Sequence, residues 1–352
     1  MGVTAKKFGE LTSGEEITLY HLENQSGAYA EVMDYGAILV KVVVPDKDGR
    51  LIDVVLGYDD VQQYEVNGCF FGAIIGRSGN RIENARFFID DKEVVLAENE
   101  NHNNLHSGPN RFEKKLWEVK EISQEKNSVD FFRISPDGEN GFPGEFTVVV
   151  KYEFTEENEL KIIYRGRSDA ATVANMTNHS YFNLNGEASG SVLEHLLMIN
   201  ADSFTETDEN DLTTGVITDV TGTPFDFRTP KPIGQDIFAA HPQLKYSKTY
   251  DHNFVLNGSG LKEAATLYAE ESGIRLTCFT DQPGVQLYVP AQSPAAHGKN
   301  GIAYPAYGSA CLETQHFPNA TSHPNFPSVI LKAGDTFKSK TLFHFSVTSS
   351  KR

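Results

Sequence analysis

Residues 146–154 read Phe146-Thr147-Val148-Val149-Val150-Lys151-Tyr152-Glu153-Phe154. Apolar side chains stand at every even-numbered position, while threonine, lysine and glutamate take three of the odd-numbered ones. Because successive side chains of a strand point to opposite faces, this alternation predicts a strand with one face in the core. Residues 155–158 form a polar turn and residues 160–165 mostly alternate again, so we expect a β-hairpin.

The same pattern recurs along the chain. Strand-like runs beside turns rich in Gly, Pro, Asp or Asn cover residues 38–44 with 51–56, residues 87–89, and residues 274–279 with 285–289. Helical signals are sparse, and a short one at residues 237–244 is interrupted by Pro242. Strands that do not alternate with helices argue against a parallel α/β sheet. The sequence therefore predicts an all-β protein, a large antiparallel β-sandwich with few short helices.

Composition sets limits on the class of protein. The chain has 352 residues, of which 39% are hydrophobic, which is enough for a large core. Large β-sandwiches run to this length as one unit, and the sequence has no Gly/Ser-rich linker or fixed-period repeat. We therefore expect a single domain over residues 1–352.

Charge and targeting signals indicate where the protein works and which partners it lacks. The formal net charge of -17 argues against binding a nucleic-acid backbone, which requires clustered lysine and arginine. The N-terminus lacks the apolar run of a secretory signal, and no stretch is long and apolar enough to span a bilayer. We expect a cytoplasmic protein with no membrane partner. Cys69, Cys278 and Cys311 lack metal or redox spacing, so we interpret them as reduced thiols.

Two residues are candidates for acid/base chemistry. His179 lies in a polar segment, residues 177–184, between strand-like runs, and a histidine held this way can donate a proton near neutral pH. Glu313 has apolar neighbours, and burial would raise its pKa and make it a better base. A structural histidine and a buried salt bridge are the alternative interpretations.

Other polar groups suit a neutral, hydroxyl-rich ligand. Arg81 follows a glycine turn, His106 lies in a loop, and Asp251 stands among aromatic residues. Gln286, on a strand, offers both a donor and an acceptor. The spacing of His102 and His106 suits a metal only on a helix, which the surrounding Asn, Gly and Pro make improbable, so we expect no metal.

Seven motifs together carry a family resemblance. In chain order they are Gly76-Arg77-Ser78-Gly79-Asn80-Arg81-Ile82, Asn104-Leu105-His106, Thr177-Asn178-His179-Ser180-Tyr181-Phe182-Asn183-Leu184, Gly222-Thr223-Pro224-Phe225-Asp226-Phe227-Arg228, Tyr250-Asp251-His252-Asn253-Phe254, Pro283-Gly284-Val285-Gln286 and Leu312-Glu313-Thr314-Gln315-His316-Phe317-Pro318. The ordered set resembles the galactose mutarotase, or aldose 1-epimerase, family. That resemblance implies the family's large β-sandwich and a reaction that interconverts the α and β anomers of free hexoses without a cofactor.

The resemblance also implies roles for individual residues. Glu313 corresponds to the base that removes the C1 hydroxyl proton, and His179 to the acid that protonates the ring oxygen. The positions that match the family's sugar-binding residues are Asn80, Arg81, His106, Asp251 and Gln286. A charged histidine beside an ionised glutamate is the required starting state, which predicts a bell-shaped pH dependence.

Several alternatives stay open from the sequence. A glycoside hydrolase would use two carboxylates, for which Glu313 and Asp251 are available. A non-catalytic sugar-binding sandwich would keep Asp251 and Gln286, and a hexose-phosphate mutarotase would require a basic cluster that the motifs lack. The preferred sugar is undecided, as is the choice between monomer and homodimer. Ser107 stands where the family tends to have Gly, and Ser107 and Arg111, both near His106, are candidates for altering sugar preference.

Overall fold

The computed structural model describes residues 2–348, and strands make up 46% of the structure. The strands, in chain order, are β1 Gly2–Glu10, β2 Glu16–Glu23, β3 Tyr29–Met33, β4 Leu39–Pro45, β5 Leu51–Asp53, β6 Ala73–Ile75, β7 Arg81–Ile82, β8 Arg86–Ile89, β9 Lys92–Val95, β10 Asn104–Leu105, β11 Glu118–Ser123, β12 Ser128–Ser135, β13 Phe146–Phe154, β14 Glu159–Ser168, β15 Thr172–Val173, β16 Thr177–His179, β17 Tyr181–Phe182, β18 Leu196–Ile199, β19 Ala201–Thr207, β20 Thr213–Asp219, β21 Lys231–Pro232, β22 Asp251–Leu256, β23 Lys262–Tyr268, β24 Ile274–Thr280, β25 Gly284–Tyr288, β26 Ala310–Gln315, β27 Ile330–Leu331 and β28 Thr336–Val347.

Three large sheets form the framework. One has five strands in the order β1-β2-β3-β4-β5, and the largest has nine, in the order β11-β12-β13-β14-β28-β24-β23-β18-β21. The third has six strands in the order β17-β26-β25-β22-β19-β20. The ladders between these strands are antiparallel, as in β13 with β14 or β25 with β26. The predicted all-β fold is confirmed.

The hairpin predicted from residues 146–154 is present as β13 and β14. Phe146 pairs with Ser168, and Phe154 pairs with Leu160. The even-numbered side chains of β13 are buried, and the odd-numbered ones from Thr147 to Glu153 are partly exposed. The late pair of strands behaves differently. Strand β24 pairs with β23 and β28, whereas β25 pairs with β22 and β26, so residues 281–283 connect two sheets and do not close a hairpin.

The described residues contain two short α-helices, α1 Val61–Val66 and α2 Pro242–Ser247. The helix expected at residues 237–244 is thus shifted along the chain. The sequence predicted that Pro242 interrupts this helix, but in the structure Pro242 begins it. Proline suits the first helical turn, whose backbone N–H groups have no partner within the helix. Among the described residues, no helix is long and apolar enough to cross a membrane.

One large hydrophobic core joins the three sheets. It includes Val32 of the five-stranded sheet, Val150 and Phe343 of the nine-stranded sheet, and Phe254 and Leu312 of the six-stranded sheet. The six-stranded sheet thus turns one apolar face to this core. Its opposite face carries the polar groups described next.

Candidate active site

The polar face of the six-stranded sheet follows from its register. Residues directly opposite each other in an antiparallel ladder share a face. Glu313 on β26 lies opposite Gln286 on β25, which lies opposite Asn253 on β22. An adjacent row on the same face contains Tyr181, Cys311, Tyr288 and Asp251. Alternation therefore separates these groups from Leu312 and Leu287, which pack into the core.

A cavity of about 290 Å³ opens over this polar face. Six of the seven residues predicted to form the site line it: Asn80, Arg81, His106, His179, Asp251 and Glu313. The seventh, Gln286, lies beside Asp251 on the same face of the sheet, and its Nε2 donates to Asp251 Oδ1 at 2.7 Å. The sequence-predicted residues are thus brought to one place by loops and strands that are far apart in the chain.

His179 and Glu313 approach each other closely within the cavity. His179 ends β16, which pairs with β6, and its carbonyl accepts the Gly72 N–H at 3.0 Å. The His179 ring stacks on Tyr181, with ring centroids 5.0 Å apart. These contacts orient His179 Nε2 3.6 Å from Glu313 Oε1, and both side chains are almost fully buried.

Burial controls the protonation of this pair. Desolvation lowers the pKa of His179 to about 3, and desolvation together with the Asp251 charge raises the pKa of Glu313 well above its ordinary value. In the free protein the neutral imidazole and the neutral carboxyl are therefore favoured. The charged pair expected from the sequence contains the same number of protons, and one proton transfer from Glu313 to His179 interconverts the two states.

His106 is held in one tautomer by its neighbour Asn80. The Asn80 backbone N–H donates to His106 Nδ1 at 3.1 Å, and the His106 N–H donates to the Asn80 carbonyl at 3.0 Å. Burial lowers the pKa of His106 well below its usual range. Because Nδ1 accepts a hydrogen bond, the neutral ring carries its proton on Nε2 and can donate it to a ligand oxygen.

Arg81 and Asp251 are fixed by partners outside the cavity. Arg81 donates through Nε and Nη2 to Glu100, at 2.7 and 2.8 Å. Arg81 thus lines the cavity while it is ion-paired with Glu100. Burial raises the pKa of Asp251, while Arg81 and the hydrogen bond from Gln286 oppose that rise.

Several cavity residues were not predicted. Phe70 lies 4.7 Å from His106 and 5.6 Å from His179 between ring centroids, and Tyr288 and Pro290 also line the cavity. Tyr288 had a detectable signal, because it shares a strand face with Gln286. Phe70 had none, since it lies in a turn with a positive φ of 61° and its contacts are with residues distant in sequence.

The departure from the family pattern at Ser107 has a structural role. The Ser78 N–H donates to Ser107 Oγ at 2.7 Å, and Ser107 Oγ donates back to the Ser78 carbonyl at 2.9 Å. The loop that holds His106 is thereby tied to the loop that holds Asn80 and Arg81.

His106, His179 and Glu313 are also residue types that can bind a metal. One ligand atom each from His106, His179 and Glu313 lie within 4.8 Å of one another, and all three residues are buried. A metal ligand must offer a lone pair, but the His106 lone pair at Nδ1 already accepts the Asn80 N–H. The donor set therefore fits a metal poorly and fits a hydrogen-bonding ligand well. His102 is exposed and contacts Glu98 instead.

Comparisons with known proteins identify the family of the chain. The family model described as aldose 1-epimerase matches residues 18–344. The chain is 41% identical over 348 residues to human galactose mutarotase, covering 98% of this chain and 99% of that protein. It is 34% identical over 336 residues to the aldose 1-epimerase of Escherichia coli strain K12, covering 94% and 96%.

Solved structures define the class of the fold. The aldose epimerase homologue of C. elegans superposes with a TM-score of 0.86 at 30% identity, covering 94% of this chain and 99% of that one. The galactose 1-epimerase of Lactobacillus acidophilus gives the same TM-score at 27% identity, covering 99% of both chains. The class is thus that of the galactose mutarotase fold.

Family and fold lead to the same conclusion. The chain belongs to the aldose 1-epimerase family, a family of isomerases.

Proposed function

We propose that this chain interconverts the α and β anomers of free hexoses, such as galactose and glucose, by opening and reclosing the sugar ring. The observation that carries the proposal is the placement of His179 Nε2 3.6 Å from Glu313 Oε1 at the wall of a cavity. Ring opening requires a proton taken from one oxygen and a proton given to its neighbour. A buried acid/base pair that shares one proton supplies both functions.

The proposed reaction balances without a cofactor. Glu313 removes the proton of the C1 hydroxyl, the C1–O5 bond breaks as the C1 carbonyl forms, and His179 gives its proton to O5. Rotation about C1–C2 presents the other carbonyl face. The O5 hydroxyl then attacks C1 and gives its proton to His179. The carbonyl oxygen on C1 takes a proton from Glu313, and the product is the other anomer.

The remaining cavity groups hold the sugar in this scheme. His106 Nε2–H and the Arg81 guanidinium donate to sugar oxygens, while Asp251 accepts from hydroxyls. Asn80 contributes through its backbone by fixing the His106 tautomer. Gln286 positions Asp251 through their 2.7 Å hydrogen bond. Tyr181 and Tyr288 offer apolar ring surface to sugar C–H groups.

We also propose the domain organisation, the cellular location and the oligomeric state of the protein. Residues 1–352 act as one domain, which the shared core of the three large sheets supports. The protein works in the cytoplasm as a monomer or homodimer with a monosaccharide as its small-molecule partner. The net charge of -17 favours neither nucleic acid nor an anionic membrane surface. Light scattering of the purified chain separates monomer from dimer.

Polarimetry of freshly dissolved α-D-galactose and α-D-glucose tests the function. Wild type should speed equilibration over buffer, and Glu313→Gln and His179→Asn should each lower kcat by about 10²–10⁴-fold. His195→Asn is the matched control, because His195 is also buried but accepts the Leu184 N–H away from the cavity. Equilibration no faster than buffer would refute the activity. Release of reducing sugar from a glycoside would instead favour a hydrolase.

A further inference from the structure

Arg111 lies beside the cavity-lining residue Phe70, in a segment held by an ion pair and by hydrogen bonds. Its guanidinium is ion-paired with Glu113, whose side chain is fully buried. The same segment is held at Lys114, whose Nζ donates to the carbonyls of Tyr64, Glu65 and Val66 at 3.0, 2.8 and 2.9 Å. These carbonyls end α1, directly before the turn that contains Phe70.

The Arg111 guanidinium packs on the ring of Phe70. Arg111 Cζ lies 4.3 Å from the Phe70 ring centroid, within the range of a cation–π interaction. The Phe70 ring in turn contacts His106 edge-on at 4.7 Å and lies nearly parallel to His179 at 5.6 Å. Phe70 lines the cavity, whereas Arg111 does not. Arg111 thus packs against Phe70, and its charge also helps to lower the pKa of His106.

We propose that Arg111 is a positioning residue for sugar binding, which fixes Phe70 as an aromatic wall of the cavity. This inference rests on the proposed function and extends it to a residue that touches no substrate. The positive φ of Phe70 makes such support necessary, because an L-residue rarely adopts this conformation without contacts that hold it. The fixed ring provides a face for the C–H groups of a hexose.

An aromatic wall such as the Phe70 ring stabilises the bound sugar and the transition state equally. Loss of its support should therefore raise KM and leave kcat nearly unchanged. The variants Arg111→Met and Arg111→Gln remove the charge but keep much of the side-chain length. Each should raise KM for galactose about fivefold with kcat within about twofold of wild type, whereas Arg111→Lys keeps a cation over the ring and should restore most of the affinity.

Arg133 provides the matched control. It lies over Phe112, with Cζ 5.0 Å from the ring centroid, and it is ion-paired with the buried Glu139. Arg133→Met thus removes the same two interactions at a place that does not line the cavity. It should lower Tm to a similar extent and leave KM unchanged.

The experiment combines polarimetric kinetics with calorimetric titration of galactose into each variant. A wild-type KM and Kd in both charge-removing variants, or an equal rise in Arg133→Met, would overturn the role of Arg111. A wild type that binds galactose without speeding its equilibration would refute the proposed function alone, since Kd would still report on Arg111.

Discussion

His179 Nε2 lies 3.6 Å from Glu313 Oε1, although the two residues come from separate sheets and distant parts of the chain. That distance is slightly longer than a hydrogen bond and short enough for strong coupling between the two groups. Burial favours the neutral form of each. The pair therefore titrates as a unit that holds one shared proton over a wide range of pH.

The pH dependence of catalysis follows from that shared proton. We expect kcat/KM to fall as pH rises through the raised pKa of Glu313, because the last proton of the pair is then lost and His179 has none to give. An acid limb near the His179 pKa of about 3 completes the bell, where a second proton binds. Initial rates across pH measure this. A kcat/KM that instead rises through the Glu313 pKa would show that neutral His179 with ionised Glu313 is the active state.

Buried histidines should make the fold sensitive to acid. Desolvation lowers the pKa of His195 to about 4, so below the ordinary histidine pKa the unfolded chain binds a proton that the folded protein does not. Stability is thus lost as pH falls from about 6.5 towards 4, at up to about 1.4 kcal/mol per pH unit for one such group. His195→Gln should reduce the slope of unfolding free energy against pH by up to this amount in urea titrations. A slope in His195→Gln equal to that of wild type would contradict the assignment.

Gln286 should matter for sugar affinity through Asp251. Gln286→Leu removes the donor to Asp251 Oδ1 and should raise KM about tenfold, since a hydrogen bond to a charged group contributes roughly 1.5 kcal/mol or more. Gln282→Leu is the matched control, because Gln282 Nε2 donates to Asp281 Oδ1 at 2.8 Å outside the cavity. Steady-state kinetics of both variants make the comparison. Equal KM values in the two would remove Gln286 from the site.

Chelation should have no effect on the reaction. Because His106 Nδ1 accepts the Asn80 N–H, the neutral His106 ring carries its proton on Nε2 and offers no free lone pair to a metal beside His179 and Glu313. Dialysis against EDTA should leave the polarimetric rate within error of the untreated enzyme. Loss of activity that added Zn²⁺ restores would contradict this view of the site.

Much of the fold could be predicted from local pattern. Alternation along residues 146–154 sets which face of β13 is buried, and the following turn closes the hairpin. The separation of β24 and β25 into different sheets could not be predicted, because both strands turn apolar side chains to the same core. Pro242 was ambiguous for a similar reason, since proline can either interrupt a helix or begin one.

The candidate site could likewise be predicted only in part from the sequence. The sequence motifs contain every predicted residue, but no local pattern relates His179 to Glu313 or places Gln286 beside Asp251. The contact of Gln286 with Asp251 depends on strand order in the six-stranded sheet, and that of His179 with Glu313 on the packing of β16 beside β26, and both are set by long-range packing. Phe70 and Arg111 are further examples, because their contact joins a turn and a loop that neither periodicity nor spacing connects.

The most direct test of the acid/base pair is the exchange between α- and β-galactose, measured from their C1 proton resonances by NMR exchange spectroscopy. The proposed acid/base pair predicts rapid exchange with wild type and a loss of about 10²–10⁴-fold in both Glu313→Gln and His179→Asn. It also predicts that the double variant is hardly slower than the slower single variant, because the two groups act as a unit. Wild-type exchange in either single variant, or losses that multiply in the double variant, would contradict it.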